Sequence, residues 1–238
     1  MFDRRTARLR HSDKTTLLRE MGISGNPQII LSGVNHDAPL ERWWSYGAEK
    51  RIELAKGLKR MGVEMVTTPN YSLFIDRPRW DDLHSIKRIA TTFEEFQEAQ
   101  LPAALHVNGR TERDFERWGD FIKKHDEVAW ISYEFGTGTG WAGRLDLHVS
   151  WLSALADSVG RPLSIVLRGG LSRLSELRNH YQAVTYLDTN VFMKTVKRQQ
   201  ARIEDGKLVW RHSSTPNGEA LSRLARSNFE VVEGLFQP

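Results

Sequence analysis

Polar and charged side chains recur at the ends of short apolar runs along this chain. Four of them are suited to acid–base or nucleophilic chemistry: Glu134, Asp188, His106 and Asp76. Carboxylates and imidazoles are the groups that most often move protons or attack substrates in enzymes. Glu134 is the best candidate, because it ends the run V-A-W-I-S-Y and precedes a glycine-rich segment. The sequence therefore predicts a catalytic carboxylate at Glu134, assisted by Asp188 or Asp76.

A second set of residues is suited to binding an oxyanion such as phosphate. Guanidinium groups bind oxyanions through two parallel hydrogen bonds, and a glycine turn before a helix exposes backbone N–H groups. The run L-S-I-V-L-R-G-G-L-S combines both features at the end of a buried strand. The predicted substrate- and phosphate-binding residues are Arg110, Arg168, Gly169, Gly170, Asn70 and Asn108.

Each candidate also has a structural interpretation. Glu134 can form an ion pair with Arg110 or Arg168, and His106 can be a hydrogen-bonded core histidine. Asp188 is also typical of a turn. No paired-ligand motif for a metal ion is present, so no metal ligand is predicted and the cofactor stays unknown. The set that could otherwise hold a hard metal ion is His36, Asp37, His106, Glu134 and Asp188.

The elements that must position these residues alternate between strands and helices. Short apolar runs separated by amphipathic stretches predict about six β–α units, and such alternation is typical of a parallel sheet. Two later runs, Ala201 to Glu204 and Lys207 to Trp210, flank Asp205-Gly206, which predicts a β-hairpin before a last helix. We expect residues 1–27 to be a basic N-terminal arm with a short helix and residues 28–238 to be a single α/β domain.

Two parallel architectures fit this alternation, a TIM-barrel-like (βα)n barrel and a doubly wound open sheet. An open sheet gathers its site mainly at one switch point, whereas a barrel gathers residues from all its strand ends at one mouth. Nearly every apolar run here ends in a polar residue. The predicted fold class is therefore α/β, a TIM-barrel-like parallel barrel, complete or irregular, with a C-terminal β-hairpin and helix.

Composition and charge narrow the classes of protein. The 238 residues include no cysteine, which excludes disulfides and thiolate metal sites, and the net charge is +4. No apolar run approaches the roughly 20 residues that span a bilayer, and the start has no signal-peptide core. We therefore expect a cytoplasmic protein without a membrane partner. Cations cluster within the first twenty residues and again from Lys194 to Arg211, which favours phosphate backbones.

These features together predict an enzyme directed at nucleic acid or a nucleotide. The predicted chemistry is base, glycosidic or phosphodiester chemistry, a transferase or hydrolase reaction at the C-terminal mouth of the barrel. The alternative is a non-catalytic barrel module that binds nucleic acid or a protein partner. Residue types leave the substrate, the reaction and the oligomeric state open.

The stretch T-P-N-Y-S-L-F-I-D-R-P, from Thr68 to Pro78, resembles a motif of an uncharacterised bacterial family, domain of unknown function 4417. The strand before it and the helix after it are similar too. The resemblance implies a phage or plasmid context and no particular mechanism. The predicted barrel is also similar in fold to the tRNA-guanine transglycosylases, whose serine-glycine-glycine-phenylalanine motif and cysteine zinc site are absent here, so this second likeness is one of fold alone.

Overall fold

The computed structural model describes residues 2–3, 6–74, 76–136 and 143–235. The glycine-rich segment that follows Glu134 therefore lies largely outside the described residues. The chain divides into two compact units, one ending at Tyr186 and one beginning at Leu187.

The first unit opens with short elements. Strands β1 (Phe2–Asp3) and β2 (Arg8–Leu9) pair antiparallel, and helix α1 (Lys14–Glu20) follows. Asp13 caps α1, because its side chain accepts a hydrogen bond from a backbone N–H of the first turn. A Cβ added at Gly57 would lie 2.5 Å from the side chain of Leu9, so β2 packs closely against a later helix. The short helix predicted near the N-terminus is confirmed.

Parallel strands form the main sheet of this unit. Its strand order is the same as the order along the chain. The strands are β3 (Ile30–Leu31), β4 (Met65–Thr67), β5 (Ala103–His106), β6 (Trp130–Glu134), β7 (Ser164–Arg168) and β8 (Ala183–Tyr186). The helices are α2 (Asp37–Ser45), α3 (Ala48–Arg60), α4 (Arg79–Glu98), α5 (Glu112–Lys124), α6 (Arg144–Val159) and α7 (Leu174–Leu177).

A strictly sequential order has no switch point, which distinguishes it from a doubly wound sheet. The six described strands instead curl into a parallel half-barrel. The predicted TIM-barrel-like α/β fold is confirmed in this incomplete form.

The register of the strands divides their side chains between two faces. Paired residues of parallel strands share a face, so Leu105, Ile131 and Ile165 lie on one face. Tyr133 lies on that face too, and it contacts His148 of α6, so this is the face that the helices cover. His106, Ser132, Glu134 and Arg168 lie on the opposite, interior face of the half-barrel.

One helix differs from its prediction. The apolar periodicity from Leu40 to Met61 predicts a single helix, but the structure has two, α2 and α3. They are separated at Gly47, whose φ of 78° is a left-handed conformation that a continuous helix does not contain. Helix α2, which follows β3 along the chain, therefore ends before α3 begins.

The second unit contains helix α8 (Asn190–Val196), strands β9 (Gln199–Glu204) and β10 (Lys207–His212), and helix α9 (Glu219–Glu233). The two strands form the predicted hairpin, with Lys207 opposite Glu204. Asp205 and Gly206 have φ values of 49° and 72°, as a two-residue turn of this kind requires. The hairpin and the last helix are confirmed, whereas α8 was not predicted.

Buried Asn228 of α9 joins the elements of the second unit. Its side chain accepts a hydrogen bond from the Ala201 N–H at 2.7 Å. It donates to Thr195 Oγ1 at 2.8 Å and to the Gln199 carbonyl at 2.9 Å. The helices and the hairpin are thus linked through one amide. Within the stretches that the structure describes, none of the helices combines the length and apolar character needed to cross a membrane.

Candidate active site

The carboxyl ends of β6 and β7 bring two of the predicted site residues together. Glu134 and Arg168 are in register, and a guanidinium nitrogen of Arg168 lies 3.0 Å from Oε2 of Glu134. Oε1 accepts a hydrogen bond from the backbone N–H of Gly136 at 2.5 Å. The Glu134 side chain is 1% exposed and that of Arg168 is 36% exposed. The ion pair that the sequence allows therefore forms with Arg168, and its cation faces solvent in part.

Burial sets the protonation of this pair. It raises the pKa of Glu134 above the ordinary glutamate value, and the charge of Arg168 and the Gly136 hydrogen bond offset that rise only in part. A buried carboxyl group with a raised pKa can exist in both protonation states nearer to neutral pH than an exposed one. The geometry is thus compatible with proton transfer at Glu134.

The two-glycine turn after Arg168 packs against the end of β6. Gly169 and Gly170 have φ values of 76° and 70°. A Cβ at Gly169 would lie 2.9 Å from the Gly136 nitrogen, and one at Gly170 would lie 2.6 Å from the Phe135 ring. Only glycine tolerates both the conformation and this close approach. The packing accounts for both glycines without an anion, and the turn leads into a three-residue 3-10 turn and the four-residue helix α7.

His106 lies on the same face as Glu134 and is 1% exposed. Its Nδ1 is 3.2 Å from Ser132 Oγ, and its backbone N–H donates to Thr68 Oγ1 at 2.8 Å. Burial lowers the pKa of His106 to about 3, so the ring is neutral over the physiological range. A neutral, hydrogen-bonded ring agrees with the core interpretation of His106.

Asn70 and Asn108 bind each other. The Asn108 amide donates to Asn70 Oδ1 at 2.7 Å and to the Tyr71 carbonyl at 2.9 Å, and Trp118 Nε1 donates to the Asn108 carbonyl at 2.8 Å. These contacts tie the segment after β4 to the segment after β5. The two side-chain amides thus hold these segments together at the carboxyl edge of the sheet.

Arg110 is engaged by protein carboxylates. Its guanidinium donates to Asp82 Oδ2 at 3.1 Å and to the Phe74 carbonyl, and its backbone N–H donates to Asp114 at 2.9 Å. Burial alone would raise the pKa of Asp114, but hydrogen bonds from the Arg110 backbone and from Arg79 lower it overall. Asp114 is therefore an anion that fixes the start of α5, and Arg110 serves this network.

The other two predicted carboxylates, Asp76 and Asp188, have different surroundings. Asp76 is exposed and makes no hydrogen bond or ion pair with any described residue. Asp188 belongs to the second unit, where it accepts a hydrogen bond from the Asn190 N–H at 2.6 Å, as a turn residue does. Among the described residues, no group of three or more histidine or acidic side chains has a metal-binding arrangement.

A buried group of charged and aromatic residues is missing from the sequence prediction. Arg51 of α3 binds Glu95 of α4 through two nitrogens, one at 2.7 Å, and lies 4.2 Å from the centre of the Trp44 ring. Arg88 stacks on Tyr71 at 3.7 Å. The signal was available, because Arg51 shares the helical period of the buried residues Leu54, Ala55 and Leu58.

A cavity of about 350 Å³ lies elsewhere on the carboxyl edge, at the ends of β3 and β4. Helix α2 contributes much of its lining, and Phe96 of α4 contributes to it from the helix side of the sheet. Neither Glu134, Arg168 nor His106 lines it. The cavity and the predicted catalytic residues are therefore at different places in the fold.

No protein-family model and no curated protein matches the chain. Solved structures are similar to it at low identity. A protein described as a sugar phosphate isomerase/epimerase from Anabaena variabilis has 13% identity and a TM-score of 0.44, over 93% of this chain and 79% of its own. D-allulose 3-epimerase from Methylomonas sp. has 12% identity and a TM-score of 0.40, over 92% and 79%. Homocysteine methyltransferase from Escherichia coli has 10% identity and a TM-score of 0.28, over 68% and 90%. At these TM-scores the likeness carries no argument about the reaction of this chain.

The prediction of an enzyme directed at nucleic acid or a nucleotide is corrected. Two of the solved structures are described as a sugar phosphate isomerase/epimerase and a D-allulose 3-epimerase, not as enzymes of nucleic acid. The described structure also gives several of the predicted phosphate-binding cations other partners. Arg110 binds Asp82, Arg168 binds Glu134 and Arg211 binds Glu204. Arg110 and Arg168 were predicted to be free for phosphate, but their acidic partners, distant in sequence, are adjacent to them in the fold.

Proposed function

We propose that this chain is an enzyme that moves a proton on a small carbonyl or hydroxyl compound at the carboxyl edge of the half-barrel. One observation carries the proposal. A carboxyl group that has a raised pKa, on a side chain that is 1% exposed, lies beside an arginine whose side chain is 36% exposed. Catalytic residues of barrel enzymes lie at the carboxyl ends of strands, where Glu134 and Arg168 are found.

Glu134 and Arg168 have different roles in the proposed reaction. The ionised Glu134 takes a proton from the carbon next to a substrate carbonyl. The electron pair of that C–H bond forms a C=C bond, and the π pair of the carbonyl moves to its oxygen. The exposed part of Arg168 stabilises the negative charge that develops there. Glu134, now protonated, returns a proton to the same carbon or donates it to the oxygen. Desolvation raises the pKa of Glu134, which favours its return of the proton.

Hydrogen exchange with solvent tests this reaction without knowledge of the product. The purified full chain is incubated in D₂O with separate small aldoses, ketoses and 2-oxo acids, and ¹H NMR follows the loss of the signal next to the carbonyl. We expect exchange in at least one compound. Glu134→Gln should slow it by about two orders of magnitude or more, because the base is removed while the shape is kept.

The matched control is Glu94→Gln, since Glu94 is exposed on α4. It should leave the exchange rate unchanged. Two results would overturn the proposal: no exchange in any compound of the three classes, or an exchange rate in Glu134→Gln equal to that of the wild type.

A further inference from the structure

The cavity at the ends of β3 and β4 has an apolar interior and an aromatic wall. Buried Leu58, Val66 and Phe96 line its inner part. Trp43 and Tyr46 line it as well, and the Trp43 ring centre lies 6.2 Å from that of Phe96 and 6.5 Å from that of Tyr46. A volume of about 350 Å³ falls in the range of sites that hold small molecules. The interior therefore suits a small apolar body, preferably an aromatic ring.

The polar residues of the lining present free donors. Ser32, Asn35 and Arg42 are exposed at the rim. The Ser32 oxygen already accepts a hydrogen bond from the Val34 N–H, and Asn35 Oδ1 accepts one from the His36 N–H. Their O–H and amide N–H groups make no other bond within the described residues. Each of these oxygens thus already accepts one hydrogen bond, whereas the O–H and N–H donors have no partner among the described residues.

Arg42 adds an unpaired positive charge. Its guanidinium forms no ion pair or hydrogen bond with any described residue. The acidic residues of the same helix have other partners: Glu41 binds Arg88 through both oxygens at 2.9 Å, and Asp37 accepts from Ser72 at 2.5 Å. The charge of Arg42 is therefore available to a ligand.

We propose that this cavity binds a small apolar carboxylic acid. The hydrophobic, aromatic part of the acid fills the interior, and its carboxylate accepts hydrogen bonds from Arg42, Asn35 and Ser32 at the rim. A carboxylate has acceptors only, which matches the unpaired charge of Arg42 and the unpartnered donors of Ser32 and Asn35. The site is separate from the Glu134–Arg168 pair and does not depend on the reaction proposed there.

Isothermal titration calorimetry of the full chain with 3-phenylpropanoate and with 3-phenylpropanamide tests the proposal. The two probes have the same ring and length, but the amide is neutral and adds donors. We expect the carboxylate to bind about tenfold more tightly than the amide, the difference that one charge-assisted contact at a partly exposed site supplies. Added salt should weaken binding of the carboxylate and leave that of the amide unchanged.

Three variants make the result specific. Arg42→Gln should bring the carboxylate to the affinity of the amide, and Arg60→Gln, an exposed arginine on α3, should leave both affinities unchanged. Ser32→Trp should abolish binding of both probes by filling the mouth. Equal affinity of the two probes, an Arg42→Gln variant that binds like the wild type, or no binding of 3-phenylpropanoate at any soluble concentration would each overturn the proposal, the last by showing that the cavity is only a packing gap.

Discussion

Glu134 and His106 share the interior face of the half-barrel, and burial shifts their pKa values in opposite directions. A buried carboxyl group holds its proton more tightly, and a buried imidazole holds it less tightly, because burial disfavours whichever form is charged. Both groups are therefore closer to neutrality in the folded protein than in the unfolded chain. Through His106 the free energy of unfolding falls as pH falls. Through Glu134 it falls as pH rises.

For His106 we expect an acid-dependent loss of stability. The unfolded imidazole takes up its proton near its ordinary pKa of 6.5, whereas the folded one does so only at about 3. As pH falls between these values the unfolded state binds more protons, and the free energy of unfolding should fall by up to about 1.4 kcal/mol per pH unit. Urea unfolding of the wild type and His106→Gln from pH 7 to 4 measures the difference in slope.

The variant should be less stable at pH 7, since Gln fills the site poorly, but its curve should fall less steeply with acid. His84→Gln, an exposed histidine, controls for the removal of one imidazole. Parallel curves for the wild type and His106→Gln would show that His106 is not held neutral.

For Glu134 the pH dependence runs the other way. Its folded pKa is raised, so its contribution to stability is complete below the ordinary value of 4.5 and is lost as pH rises through the folded value. The free energy of unfolding of the wild type, relative to Glu134→Gln, should therefore decrease from pH 4.5 upward. A relative stability that increases with pH would contradict a raised pKa.

At pH 7 we expect only a small difference in the free energy of unfolding between the wild type and Glu134→Gln. In Glu134→Gln the side-chain amide can still accept the Gly136 N–H, and the partly exposed Arg168 can turn to water. We expect a loss of about 1 kcal/mol, as for exposed pairs, and not the 3 kcal/mol or more of a fully buried pair. Stability alone therefore does not separate an ion-pair role from a catalytic one, and the deuterium exchange assay does.

Among the elements, the turn between β7 and α7 is held by packing. Gly170→Ala adds a Cβ to a left-handed residue and places it 2.6 Å from the Phe135 ring. Gly160→Ala is the matched control, with a similar φ of 73° and no atom within 4 Å. Both should lose about 1–2 kcal/mol for the backbone conformation, and Gly170→Ala about 1–3 kcal/mol more for overpacking. Urea unfolding midpoints give the values; equal losses would show that the ring moves away freely.

Elements with a strong local signal were predictable. The strands β5, β6 and β7 are buried apolar runs, and the hairpin turn has the sequence Asp-Gly. The break at Gly47 was not predictable, because the helical period continues on both sides of it. Helix α8 is only seven residues long, too short for a periodic signal.

The contacts of the candidate site were also predictable only in part. Glu134 and Arg168 end neighbouring strands, so their contact follows from a parallel sheet in chain order. The binding of Arg110 to Asp82 does not follow, since the two residues belong to segments that only the fold brings together. The rim of the cavity was missed because its free donors depend on hydrogen bonds that no spacing reveals.

At the scale of the whole molecule, the division at Tyr186 and Leu187 predicts local unfolding. Asn228→Ala leaves the Ala201 N–H, the Gln199 carbonyl and the Thr195 hydroxyl without their buried partner. Each lost partner costs about 1–3 kcal/mol, so we expect the second unit to lose about 3 kcal/mol or more. Hydrogen–deuterium exchange should show faster exchange confined to residues from Leu187 onward.

The control for this variant is Asn190→Ala, because the Asn190 side chain is exposed and makes no hydrogen bond with a described residue. It should leave the exchange pattern of the wild type intact. Faster exchange of β5 to β7 in Asn228→Ala would mean that the two units unfold as one cooperative body.

The order of the strands in the half-barrel is also the order in which a ribosome makes them. Each new strand emerges when its neighbour is already present, and no strand waits for a partner that comes much later. A nascent chain that has reached Lys124 already contains β3, β4 and β5 with the helices α3, α4 and α5. The half-barrel can therefore grow strand by strand during synthesis. The strand that was synthesised last has one unpaired edge. Two nascent chains on one messenger RNA would pair wrongly at that edge until the next strand is made and covers it.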